Sequence, residues 1–239
     1  MGITENVAAI KERLEKAAPG RRVLLVAATK MNDADRVRQA IAAGVDACGE
    51  NRVQELLEKH GQGAYTGRPL HFIGHLQKNK VRQIVGVADL IESADSRDLL
   101  RRIDARAGEL GIIQDVLLEI NIAGEESKSG MAPEDLPGIL AYAAGLGAVR
   151  VRGLMSIPPI CEEPGGNRPF FARMNELFVD IAAKKYDNVS MDFLSMGMSG
   201  DFEDAIREGA NLVRVGTAIF GARPYPPKTD ESASRSARL

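Results

Sequence analysis

Over the first twenty residues Val7, Ile10, Leu14 and Ala17 recur at intervals of three or four while charged residues fill the gaps, a spacing that predicts an amphipathic helix. Thr4 is its expected N-cap, and Pro19 with Gly20 ends it. Beyond it, short apolar runs alternate with longer segments of helical period. The runs begin at Val23 (VLLVAAT), Asp46 (DACGE), His71 (HFIG), Asp89 (DLIES), Asp115 (DVLLEIN), Val151 (VRGLMSI), Phe193 (FLSMG) and Leu212 (LVRVGT). Between them, ADRVRQAIAAG (34–44), RVQELLEKHG (52–61) and SRDLLRRIDARAGELG (96–111) read as crossover helices.

Strand and helix alternating in this way mean a parallel sheet covered by helices. Eight units in 239 residues predict an α/β fold consisting of a single closed (β/α)8 TIM barrel with one additional N-terminal helix. A doubly wound open sheet is the rival, but the GxGxxG fingerprint that would follow its first strand is missing. The barrel is expected over residues 1–223. The tail 224–239, PYPPKTDESASRSARL, is expected to be disordered.

Composition narrows the function. Apolar residues make up 44%, enough for a sizeable core, and 31 basic against 33 acidic side chains leave no cationic footprint for nucleic acid or a membrane surface. The start of the chain is charged where a secretory signal needs an apolar core, Asn6 breaks the myristoylation pattern after Gly2, and no apolar run approaches the ~18 residues of a membrane helix. Cys48 and Cys161 supply neither a disulfide framework nor a zinc site. A cytoplasmic protein acting on a small molecule is expected.

In such barrels chemistry sits at the C-terminal ends of the strands, where this sequence places Lys30, Glu50, Asn51, His75, Ser93, Asp95, Asn121 and Ser156. Strand periodicity puts Lys30 on one face with Val26 and Ala28. If that face is inward, an amine stands in the barrel mouth as a phosphate contact, a nucleophile or a structural residue. The loop SMGMSGD (195–201) has the glycines and hydroxyls of a phosphate cradle, completed by Gly216 and Thr217 from the neighbouring strand end. Asp201 is an awkward neighbour for an anion unless its carboxylate turns onto the backbone. Arg214 shares a face with Leu212 and Gly216, so it points inward to either a buried ion pair or a ligand. Glu119 and Arg152, on adjacent strands, could pair inside the barrel. His60 ends a helix, and His71 and His75, about 13 Å apart along a strand, are not a metal pair.

With these residues placed, the sequence resembles the pyridoxal phosphate homeostasis protein family, stand-alone relatives of the alanine racemase barrel domain. The resemblance runs from about Val7 to Arg223 and rests on LLVAATK, CGENRVQE, HFIGHLQKNK, INIAGEESKSG, RGLMSIPP, FLSMGMSGDFEDAI and VRVGTAIFGAR, in the family's order and spacing. Ala28 and Thr29, and the stretch from Gly63 to Gly67, depart from the family pattern without touching its functional positions. The resemblance implies pyridoxal 5′-phosphate (PLP) held as a Schiff base on Lys30. Ser199, Gly200, Gly216 and Thr217 would cradle the phosphate, Met198 would pack nearby, Asn51 would lie beside the ring, and Arg214 would face the pyridine nitrogen. Lys128, in the loop AGEESKSG, matches a family lysine thought to help hand the cofactor on, or is a solvated loop charge.

Chemistry then separates carrier from catalyst. A guanidinium beside the pyridine nitrogen keeps that nitrogen from gaining a proton, which weakens PLP as an electron sink. A racemase also needs a second base on the opposite ring face, which a tyrosine of an added C-terminal domain supplies in the racemase relatives. Here Tyr65, Tyr142, Tyr186 and Tyr225 fall in a loop, two helical segments and the tail. The expectation is a monomeric PLP-binding protein that buffers or delivers the cofactor, with apo-enzymes as recipients. A low-activity PLP-dependent racemase and a sugar-phosphate enzyme using Lys30 as nucleophile are the alternatives.

Overall fold

A computed structural model describes residues 2–125, 128–161 and 163–221. The tail from Pro224 lies outside the described residues. Eight strands, β1 (Leu24–Ala28), β2 (Ala47–Glu50), β3 (Leu70–Phe72), β4 (Leu90–Ala94), β5 (Gln114–Glu119), β6 (Val149–Met155), β7 (Val189–Ser195) and β8 (Leu212–Val215), pair in parallel in sequence order and close when β8 meets β1. The helices that flank them are α1 (Ile3–Ala17), α2 (Ala34–Ala42), α3 (Val53–Gly61), α4 (Val81–Ile84), α5 (Arg97–Leu110), α6 (Leu136–Ala144), α7 (Arg168–Ala182), α8 (Phe202–Arg207) and α9 (Thr217–Phe220).

Alternation along each strand sorts residues into two cores. Leu25, Ala27, Phe72, Ile91, Leu118, Val213 and Val215 face outward and bury against the helices, where each large side chain contributes about 1.5–3 kcal/mol. Val26, Ala47 and Leu212, with Leu90, Leu117 and Met155, face inward and meet at Phe193. The interior is a packed column.

The N-terminal helix starts at Ile3 with Gly2 as its N-cap, two residues ahead of the expected Thr4. Ile3 is buried with Val7, Ile10 and Leu14, so the apolar face extends further toward the chain start than the spacing from Val7 showed. This helix braces the last two: Asn6 donates to the Ile219 carbonyl at 2.9 Å, and Arg13 makes a two-point pair with Glu203, both contacts 3.0 Å, over the Phe202 ring. Tyr186 lies beyond the end of α7 rather than in a helix. No helix among the described residues is long and apolar enough to cross a membrane.

Candidate functional site: a strand-end pocket at the barrel mouth

A pocket of about 490 Å³ opens where β1, β7 and β8 end. Lys30 and Ala28 line one wall, Met198, Ser199 and Gly200 a second, and Arg214, Gly216 and Thr217 a third. Seven of the eight residues expected to hold a cofactor are therefore brought together. The eighth, Asn51, lines a neighbouring depression of about 200 Å³ with His75 and Lys80 instead, and its Oδ1 is buried with no hydrogen-bond partner.

Backbone donors gather at one end of the pocket. The N–H groups of Gly216 and Ala218 converge on the Ser199 hydroxyl, each at 3.3 Å, and the Thr217 and Gly200 positions flank them. A phosphate oxygen is a stronger acceptor for such donors than a neutral hydroxyl. Gly197 makes the loop possible: its φ is +90°, and a Cβ there would sit 2.6 Å from the Ala205 Cβ. Asp201 does not oppose an anion, because its carboxylate accepts the Met198 N–H at 2.7 Å and the Asn167 amide at 2.8 Å. Arg36, in the first turn of α2, also lines the pocket. It was not singled out from the sequence, although it stands in the first turn of the helix that follows β1.

The floor is a buried polar network. Arg214 donates to Ser195 Oγ and, at 2.8 Å, to the Ser156 carbonyl; Ser195 Oγ donates to Glu92 Oε2 at 2.6 Å. Glu92 Oε1 accepts from His71 Nδ1 at 2.7 Å, and Arg214 lies 3.8 Å from Glu92. Burial alone would push the Glu92 carboxyl up, but the hydrogen bond from His71, with Arg214 and Ser195, holds it below the usual carboxylate range. Burial pulls the Arg214 guanidinium down while Glu92, Glu119 and Asp201 oppose that pull. Arg214 thus has a buried acid partner and also lines the pocket. His71, set aside in the sequence, is a member of this network.

Glu119 and Arg152 do not pair. Glu119 is opposite Met155 in the β5–β6 register, so Arg152 lies three residues nearer the closed end, where it bridges Asp192 and Asp115 (2.7 Å to the latter) over Phe193. Glu119 is left buried with Oε2 unsatisfied. Lys128 lies outside the pocket lining, where it donates to the Pro158 carbonyl at 3.0 Å and pairs with Glu125 at 2.7 Å.

Comparison with known proteins agrees with this geometry. Residues 2–224 match the family described as alanine racemase, N-terminal domain. The pyridoxal phosphate homeostasis protein of Aquifex aeolicus is 43% identical over 94% of this chain and 100% of its own length, and that of Pseudomonas aeruginosa is 42% identical over 93% and 96%. Among solved structures, PipY of Synechococcus elongatus with PLP bound superposes with a TM-score of 0.81 at 34% identity, covering 92% of this chain and 100% of that one. The chain belongs to the pyridoxal phosphate homeostasis protein family, within the larger group that shares the alanine racemase N-terminal domain.

Proposed function

We propose that this protein binds PLP in the strand-end pocket and buffers or delivers it, working as a monomer in the cytoplasm and handing the cofactor to apo-enzymes. The observation that carries the reading is one pocket lined together by a loop of anion-cradle type, an amine and an arginine. Those residues fit the group: converging N–H donors suit its phosphate, Lys30 its aldehyde and Arg214 its pyridine nitrogen. When bound, PLP supplies an electrophilic carbonyl carbon and an electron-withdrawing ring. Lys30 would hold the aldehyde end, the 199–200 and 216–217 segments would orient the phosphate, and Arg214 would keep a positive charge at the pyridine nitrogen.

The loaded protein is expected to be yellow, and borohydride should fix the cofactor on the peptide containing Lys30. Lys30→Ala should abolish the fixation with an unchanged melting temperature; cofactor fixed elsewhere in the wild type would overturn the reading. Pyridoxal, which lacks the phosphate, should bind far more weakly, since hydrogen bonds to ionised acceptors contribute about 1.5–3 kcal/mol each. Equal affinity for the two would show that the cradle does not hold phosphate.

The reading also excludes useful turnover of amino acids. With Arg214 proposed to face the pyridine nitrogen, the ring is a weak electron sink, and Tyr65 and Tyr142 are engaged elsewhere, by Glu50 and by Arg97. A positioned second base is worth about 10²–10⁴-fold, so alanine and serine should exchange their α-hydrogen with deuterated water slowly and racemise negligibly. Racemisation at roughly 1–10³ per second would promote the racemase reading.

A further inference from the structure

Behind the turn that carries Lys30 lies a buried cluster of charge with no part in the pocket wall. Glu50, at the end of β2, is fully buried, and its Oε2 accepts from Lys59 Nζ at 2.8 Å, from Thr29 Oγ1 at 3.0 Å and from the Tyr65 hydroxyl at 3.4 Å. Lys59, on α3 and 7% exposed, also donates to the Thr29 carbonyl at 2.9 Å and to Glu55 Oε2 at 3.3 Å. Glu55 Oε2 in turn accepts the Met31 N–H at 2.9 Å. The residues immediately before and after Lys30 are therefore pinned by one linked cluster, Thr29 by Glu50 and Lys59 and Met31 by Glu55.

The turn needs pinning. Met31 has φ of +61°, a left-handed conformation that a side chain with a Cβ adopts only when its surroundings impose it. Met31 is itself 54% exposed, so packing of its side chain does not impose it. Nor does folding stability explain the ion pair, since a buried pair is often matched or bettered by apolar residues of the same size. What an apolar pair could not supply is a directional donor to the Thr29 carbonyl and a directional acceptor for the Met31 N–H.

We propose that Glu50, Glu55 and Lys59 are positioning residues for Lys30, holding its backbone turn so that the amine meets an aldehyde presented from the phosphate cradle. The proposal rests on the reading of Lys30 given above. The step it serves is addition of the lysine amine to the aldehyde carbon with loss of one water.

The test follows how fast borohydride-fixable cofactor accumulates on Lys30 in whole protein mixed with PLP, beside affinity for pyridoxine 5′-phosphate. That probe keeps ring and phosphate but has an alcohol where capture needs an aldehyde. Glu55→Ala removes the Met31 acceptor and should slow capture roughly tenfold, the scale of one charge-assisted hydrogen bond, with affinity for the alcohol unchanged. Glu55→Gln, which keeps an acceptor oxygen, should restore most of the rate. A double variant, Glu50→Gln with Lys59→Met, strands no buried charge and should also capture slowly while staying folded. Wild-type capture rates in Glu55→Ala and the double variant would overturn the proposal. So would an equal loss of capture and of alcohol affinity, which would mean that the cluster supports the whole pocket. Absence of capture on Lys30 in the wild type would instead defeat the assignment of Lys30 itself.

Discussion

Replacing Glu92 by alanine is expected to cost about 3–5 kcal/mol of folding stability, the range for removing one partner of a buried ion pair. Against a total of about 5–15 kcal/mol for a domain, that is a large fraction. The cost comes from what is left behind. Glu92 is fully buried and both its oxygens are in use, so its loss strands the His71 ring, the Ser195 hydroxyl and the Arg214 guanidinium inside the barrel. Arg214 is 4% exposed, and an uncompensated buried charge is far more expensive than a missing hydrogen bond. Glu92→Gln retains the volume and one acceptor oxygen and should lose clearly less. Denaturant unfolding monitored by circular dichroism measures both. A midpoint for Glu92→Ala close to wild type would mean that Arg214 is satisfied by Ser195 and Ser156 and that the acid is dispensable.

That network also marks where sequence reading stopped. The barrel was legible because each strand is short, apolar and followed by a helical segment, and because outward and inward positions alternate in phase with the pleat. The mouth was legible for a related reason: Lys30, the 198–200 loop, Arg214, Gly216 and Thr217 all lie at strand ends, and a closed barrel brings all strand ends to one rim. Contacts across the interior were not legible. His71, Glu92 and Ser195 come from β3, β4 and β7, and only the closed geometry makes them neighbours. The expected Glu119–Arg152 pair failed for want of the register: adjacency of strands is readable from order, but a shift of three residues along the strand separates two side chains by about 10 Å. Half-exposed positions hid the start of β7, where Ser190 and Asp192 interrupt the apolar pattern to serve the ion pairs at the closed end. Lys59 read as one more charge on an amphipathic helix, and its burial follows from Glu50 standing at the end of the strand that α3 follows.

Glu119 makes the stability of this barrel depend on pH in a direction opposite to that of most carboxylates. Burial is the main cause, the Asp95 charge adds to it and Arg214 opposes it, and together they push the carboxyl from 4.5 up to about 7. The folded state therefore holds this proton more tightly than the unfolded chain does. By linkage, the stability Glu119 contributes is fully present below pH 4.5 and is lost as pH rises through about 7. The gap of 7 − 4.5 corresponds to about 3 kcal/mol at 1.36 kcal/mol per unit. Glu119→Gln cannot ionise and has almost the same shape, so it should gain on the wild type across that window and level off above it. The difference between the two proteins is the quantity to follow, because Glu92, held below its usual range, gives both of them the contrary slope at acid pH. Unfolding in urea from pH 4 to 9 measures it. An advantage of the variant that does not grow with pH, or one that shrinks, would show that Glu119 is ionised throughout.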